Sequence, residues 1–210
     1  IVYEDGPTKS INESILRSAD EPFHKEGGLK VLKGNIGTAV IKTSAVKSEH
    51  HIVEAEAVVF DDQDDLRPLF DAGELDRDCV VVVRFQGPAA NGMPELHKLT
   101  PMLGVLQDRG FKVALVTDGR MSGASGKVPA AIHLVPEASH GGLLAQLQTG
   151  DVIRLDATTG VLSALVDATD LEHRAVSVAP AARGTVGRIL FNTSRRAVSS
   201  AEEGASSLFN

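Results

Sequence analysis

"CVVVVRFQGPAANGMPELHKLTPMLGVLQDRGFKVALVTDGR", Cys79 to Arg120, decides the architecture of the chain. It opens with a continuous apolar run bounded by charge, the pattern of a strand covered on both faces, because a half-exposed strand would alternate. A Gly/Pro/Asn loop follows, then a helical pattern with Leu96, Leu99, Leu103 and Leu106 on one side and Gly110 past its end. "KVALV" gives a second buried strand, and a second glycine-bearing loop, "TDGRMSGASGKVP" (Thr117 to Pro129), comes after it. Strand, loop, helix, strand, loop is a βα-type arrangement, and loops after such strands are where α/β proteins place ligands. The two glycine loops are therefore expected to meet at one site.

Upstream, "LKVLKGNIGTAVIKTSAV" reads as two β segments broken at Gly34 and Gly37, and "HHIVEAEAVVF" continues in β-rich composition. "SINESILRSAD" carries Ile11, Ile15 and Leu16 at helical spacing behind Ser10, with Glu13 three residues on, which predicts one short capped helix. "DDQDDLRPLFDAGEL" predicts another, with Leu66, Leu69 and Phe70 on one face and aspartates in the first turn, where the helix dipole favours them. Downstream, "RLDATTGVLSALV" suggests a hairpin, and the Ser/Ala/Glu-rich end reads as a frayed tail. No internal repeat or low-complexity linker appears. The whole is read as one mixed α/β domain, rich in strands.

Composition narrows the partners. At 210 residues and 42% hydrophobic, the chain is long enough for a sizeable core. A formal charge of -7 argues against nucleic acid or an anionic membrane surface, which require clustered Lys and Arg. No apolar run approaches the roughly 18 residues of a membrane span, so a cytoplasmic protein is expected. The single Cys79 excludes a disulfide within the chain and reads as a core residue of its strand.

The second loop fails the tests for nucleotide binding. Counted back from Gly126–Lys127, the first glycine of a Walker loop would fall at Met121, and Val128 stands where Ser or Thr is needed. No two glycines are separated by a single residue, so the dinucleotide fingerprint is missing too. HExxH and paired CxxC are also absent. What the loop offers is Asp118, Arg120, Ser122, Ser125 and Lys127 on a backbone that can approach a ligand closely. A solvent-exposed turn remains the alternative. Among the seven scattered histidines, His97 follows the first loop and is the candidate for function, whereas His133 reads as a hydrogen-bonded core residue.

Read together, Val82–Pro101, Val113–Ala138 and Leu29–Lys47 resemble the C-terminal domain of the dihydroxy-acid/phosphogluconate dehydratase family. "GMPEL" and "DGRMSG" are similar to the family's general motifs. The remainder of the two loops, "FQGPAANGMPELHKLTP" and "SGASGKVPAA", resembles its phosphogluconate branch. The resemblance implies a swivelling β/β/α domain with a barrel-like β-sheet core flanked by helices. Residues 1–210 would then be a single domain at the C-terminal end of a longer, homodimeric enzyme. A separate N-terminal domain, not contained in this chain, would carry an iron–sulfur cluster of the 4Fe–4S kind.

The implied reaction is dehydration of a sugar-acid phosphate, 6-phospho-D-gluconate, to a 2-keto-3-deoxy acid in the Entner–Doudoroff pathway, with this chain inactive by itself. Ser122 matches the serine proposed as catalytic base, and Glu95 the carboxylate that ligates magnesium in some sugar-acid dehydratases. Arg120, Ser125, Lys127, His97 and Lys98 are the substrate-binding candidates, the cations for their fit to phosphate. Ala124 followed by Ser125 departs from members with a Thr near this point. A dehydratase for an unphosphorylated sugar acid or a dihydroxy acid, and a non-catalytic carboxylate-binding module, are the rival readings. The plainer alternatives are a first-turn helix acid beside Pro94 for Glu95 and a solvated surface charge for Lys98.

Overall fold

The computed structural model describes residues 2–121, 126–181 and 184–208. Eight strands close a barrel in the order β1-β2-β6-β5-β4-β3-β7-β8. The strands are β1 (Leu29–Gly34), β2 (Gly37–Lys42), β3 (Ile52–Phe60), β4 (Cys79–Val83), β5 (Val113–Thr117), β6 (Ala130–Val135), β7 (Val152–Asp156) and β8 (Val161–Ala164). The barrel has two halves. β3, β4, β5 and β6 pair in parallel, as βα connections require, whereas β1 with β2 and β7 with β8 are antiparallel hairpins.

The "CVVVV" run is apolar throughout because both its faces are buried. Val80 and Val82 point into the barrel with Ala57, Ala114, Val116, Ile153 and Leu155, while Cys79, Val81 and Val83 face outward into a second apolar layer. That layer is supplied by α1 (Leu66–Asp71) and α3 (Leu99–Asp108), through Leu66, Leu99, Leu103 and Leu106. Leu96 reaches the same layer from the loop before the helix. β7 faces water on its outer side, so Arg154 alternates with the buried Ile153 and Leu155. The expected strands, hairpin and two helices are therefore present.

The terminal segments differ from expectation. Residues 10–20 form no regular helix: Asn12 Oδ1 takes the Ser14 amide at 2.9 Å, and Ile11, Ile15 and Leu16 are exposed. A segment this short is unstable in water without an apolar surface to pack on, and Asn competes locally for the backbone. The Ser/Ala/Glu-rich residues 198–208 form turns and bends rather than a helix or strand, but the segment before them is regular. That segment forms α5 (Val186–Leu190) and α6 (Asn192–Arg196); α6 packs on α2 (Pro88–Asn91) in the first glycine loop, and α5 packs on α6. Arg195 Nη1 donates to the Ala90 carbonyl at 3.2 Å and Arg188 Nη2 to Asn91 Oδ1. A remaining short helix, α4 (Ala168–His173), is capped by Asp167, whose side chain accepts the Thr169 amide.

Candidate active site

In the parallel half, the loops after β3, β4, β5 and β6 all leave from the carboxyl ends of the strands, where open α/β sheets bind ligands. Asp118, the first residue after β5, is 0% exposed and fastens three of them. Its carboxylate accepts the Gln86 amide at 2.8 Å, the Ala138 amide at 3.0 Å and the Phe85 amide at 3.2 Å. Gln86 extends the web, donating to the Asp61 carbonyl at 3.0 Å and accepting from Asn91 at 2.8 Å. Burial pushes the Asp118 carboxyl up to about 6, with the Glu137 charge adding to it, against the opposing pull of the three amides.

Close approach of the loops depends on missing side chains. A Cβ on Gly119 would lie 2.7 Å from Gln86 Cβ, and one on Gly87 would lie 1.7 Å from Glu137 Oε2. Glu137 itself, 5% exposed, accepts the Ala89 amide at 3.2 Å and the Ser139 hydroxyl at 2.9 Å. Backbone strain gathers at the same end: the non-glycine residues Phe85, Met93 and His133 all have φ between 51° and 61°. Each is tied down, Phe85 by Asp118, Met93 by Arg120 and His133 by a 2.9 Å bond from its amide to the Gly119 carbonyl. Strain of this kind persists where surrounding structure enforces it, and it clusters at functional sites.

The two glycine loops do meet. Glu95 and Arg120 form a parallel backbone bridge, the Leu96 amide donates to the Arg120 carbonyl at 3.2 Å, and Arg120 Nη1 pairs with Glu95 Oε2 at 2.8 Å. Arg120 Nε also donates to the Met93 carbonyl at 2.8 Å. Ser122 and Ser125 lie outside the described residues.

The other predicted site residues are placed differently. Lys98 pairs with Asp64 at 3.1 Å, and Lys127 pairs with Asp108 at the end of α3. His97 is exposed and its carbonyl accepts the Thr100 hydroxyl at 3.3 Å. His133, read as a core residue, is instead half-buried; burial, then the nearby Arg120 charge, pushes its imidazole below the usual range. Cys79 is in the core as expected, and burial pushes its thiol up to about 11. No group of three or more His, Cys, Asp or Glu placed to hold a metal ion occurs among the described residues. Also among them, no helix is long and apolar enough to cross a membrane.

Sequence reasoning missed the anchoring role of Asp118 and passed over Glu137, Arg188 and Arg195. A signal existed for Asp118, an acid set directly against a fully buried strand. For the tail arginines none did, since their significance depends on where the tail docks.

Residues 14–205 match the family described as dihydroxy-acid/6-phosphogluconate dehydratase, C-terminal. The chain belongs to this family. It is 61% identical over 210 residues to a phosphogluconate dehydratase of Pseudomonas aeruginosa, covering 99% of this chain and 34% of the relative. To a phosphogluconate dehydratase of Escherichia coli K12 it is 57% identical over 205 residues, covering 97% of this chain and 34% of the relative. A dihydroxy-acid dehydratase of Wolinella succinogenes is 35% identical over 200 residues, covering 94% and 35% respectively. This family member thus spans about a third of the length of the relatives it matches.

Proposed function

We propose that this chain is the C-terminal part of a phosphogluconate dehydratase, which removes water from 6-phospho-D-gluconate to give 2-dehydro-3-deoxy-6-phospho-D-gluconate. The observation that carries the reading is the junction of "GMPEL" and "DGRMSG" through the Glu95–Arg120 pair at the carboxyl ends of the parallel strands. The identity of 61% to a phosphogluconate dehydratase, against 35% to a dihydroxy-acid dehydratase, supports the choice of branch.

The reaction removes the proton on C2, next to the carboxylate, and breaks the C3–O bond so that hydroxide leaves. The resulting enol becomes the 2-keto acid, and proton and hydroxide together make the water released. In this reading Ser122 takes the C2 proton. A serine hydroxyl is too weakly acidic to ionise unaided, and in this reading Arg120, two residues before it, stabilises the alkoxide once Glu95 turns away from it to substrate or a metal ion. Asp118 acts by position, holding the loop after β5 against those after β4 and β6.

The iron–sulfur cluster does not fit this chain. Its one cysteine is a buried strand residue with a raised thiol, and the described residues hold no alternative ligand group. In this proposal the cluster belongs to an N-terminal part of the longer protein. The exposed Ile189, Leu190 and Phe191 suit a surface covered by that part. For magnesium, Glu95 offers one hard oxygen donor, already engaged by Arg120, so an ion there takes its other ligands from substrate or from the rest of the protein. Lys98 and Lys127 reach substrate only by leaving Asp64 and Asp108. In the sequence His97 follows the first glycine loop and Ser125 falls in the second, and in this reading both serve substrate binding. A cytoplasmic homodimer completes the reading.

The test is anaerobic formation of 2-keto acid from 6-phosphogluconate by the full-length, iron-loaded protein and its Ser122→Ala variant. Turnover in the parent, falling about 10²- to 10⁴-fold in a folded, cluster-bearing variant, is the expected result. Turnover of gluconate but not its 6-phosphate by the parent would transfer the chain to a different dehydratase. Full activity in the variant would move the base elsewhere.

A further inference from the structure

A cavity of about 650 Å³ opens between the first glycine loop and the chain's final helices. Asn91 and Met93 line it from the loop, Arg188, Ser194 and Arg195 from the tail, and Arg120 from the side of the "DGRMSG" loop. Its volume lies in the range that holds a small-molecule ligand. Three arginines gather around one cavity in a chain whose formal charge is -7.

Two of them are not neutralised by any described residue. Arg77, Arg84, Arg109, Arg154 and Arg174 each pair with a carboxylate. Arg188 and Arg195 bond instead to Asn91 Oδ1 and the Ala90 carbonyl, and neither has a carboxylate partner among the described residues. Arg195 Nε is buried with no hydrogen-bond partner among them. An arginine fork held by a neutral acceptor on one side keeps its remaining N–H groups for an anion, and its geometry suits phosphate oxygens.

We infer that this cavity is the subsite for the phosphate group of a sugar-acid phosphate, with Arg188 and Arg195 as its direct ligands. The identity of the ligand rests on the function proposed above; the cationic cavity does not. The C1 carboxylate of the substrate is fixed near the reacting loop, because the proton removed is on the adjacent carbon. The phosphate, at the other end of the carbon chain, needs a separate cationic pocket within reach of that loop, and Arg120 borders both.

Equilibrium binding of 6-phosphogluconate and of gluconate, by titration calorimetry, to the full-length protein and its variants, all carrying Ser122→Ala to suppress turnover, tests this with the carboxylate held constant. The parent should bind the phosphate ester at least about tenfold more tightly, and Arg188→Met and Arg195→Met should each remove about tenfold of that preference while leaving gluconate binding unchanged. Arg188→Lys and Arg195→Lys, which keep the charge and the stem, should retain part of it. A parent with no preference for the ester, or Met variants that keep it in full, overturns the subsite. Keto-acid formation, measured with Ser122 intact, separates the two readings: a parent that dehydrates the ester with unaltered preference in the variants loses the subsite alone. A preference lost in the variants of a parent that makes no keto acid sinks the reaction alone.

Discussion

Asp118, at the end of β5, and Asp156, at the end of β7, are 0% and 2% exposed, and each accepts backbone amides, yet their carboxyl groups are displaced in opposite directions. Burial pushes both up. For Asp156 it is outweighed by bonds from the Thr159 amide, the Arg154 guanidinium, the Thr159 hydroxyl and the Thr158 amide, which hold it below the ordinary carboxylate range. For Asp118 the donors are backbone amides, and its charged neighbour is another acid, Glu137. The antiparallel half closes a hairpin turn with a compensated charge. The parallel half keeps an uncompensated one where loops converge, beside three strained residues. Features that destabilise a fold survive where surrounding structure enforces them, and here they gather at the end of the barrel where the two glycine loops meet.

The largest expected difference is in the response to Asn. Asp118 accepts two amides on Oδ2 and one on Oδ1, so in either orientation the amide nitrogen of an asparagine at this position faces at least one buried N–H. Asp118→Asn should cost about 3 kcal/mol in urea unfolding at pH 7. The pH profile is a second test. The folded Asp118 titrates near 6, above its ordinary value of 3.8, so the folded state binds the extra proton. Its stabilising contribution is full below about 4 and is lost as pH rises through about 6, amounting to about 2 to 3 kcal/mol. The difference in stability between parent and Asp118→Asn should shrink over that window. A difference that stays flat between about pH 4 and 7 would show that the carboxyl is not raised.

What could be read from sequence follows the same division. The continuous apolar runs at Cys79–Val83 and Val113–Val116 are buried on both faces, and the leucines at 99, 103 and 106 face them, so local pattern and packing agree. The meeting of the glycine loops follows from the βα order itself. The failures come from side chains whose roles depend on distant partners. Ile11, Ile15 and Leu16 have helical spacing but nothing to bury against. Lys98 and Lys127 have the right chemistry and neighbours in sequence, but aspartates from other elements claim them. Arg188 and Arg195 gain meaning only once the tail docks on α2, and no local periodicity encodes that contact.

The smallest expected effect tests the compensated partner. Asp156 Oδ1 accepts the Thr158 and Thr159 amides, each at 2.9 Å, and Oδ2 accepts Arg154 Nη2 at 2.9 Å. An Asn in its place can keep its oxygen toward both amides, because the two share one acceptor. Its nitrogen would then face Arg154, whose side chain is 40% exposed and can turn to water while retaining Glu54 at 3.0 Å. Asp156→Asn should therefore cost only about 1 kcal/mol at pH 7, within the range of a partly exposed ion pair. It should also remove the contribution that the parent loses as pH falls through the lowered Asp156 value, the reverse of the sign at Asp118. A cost matching that of Asp118→Asn would mean that burial alone, and not the absence of a compensating cation, sets the energetics of these carboxylates.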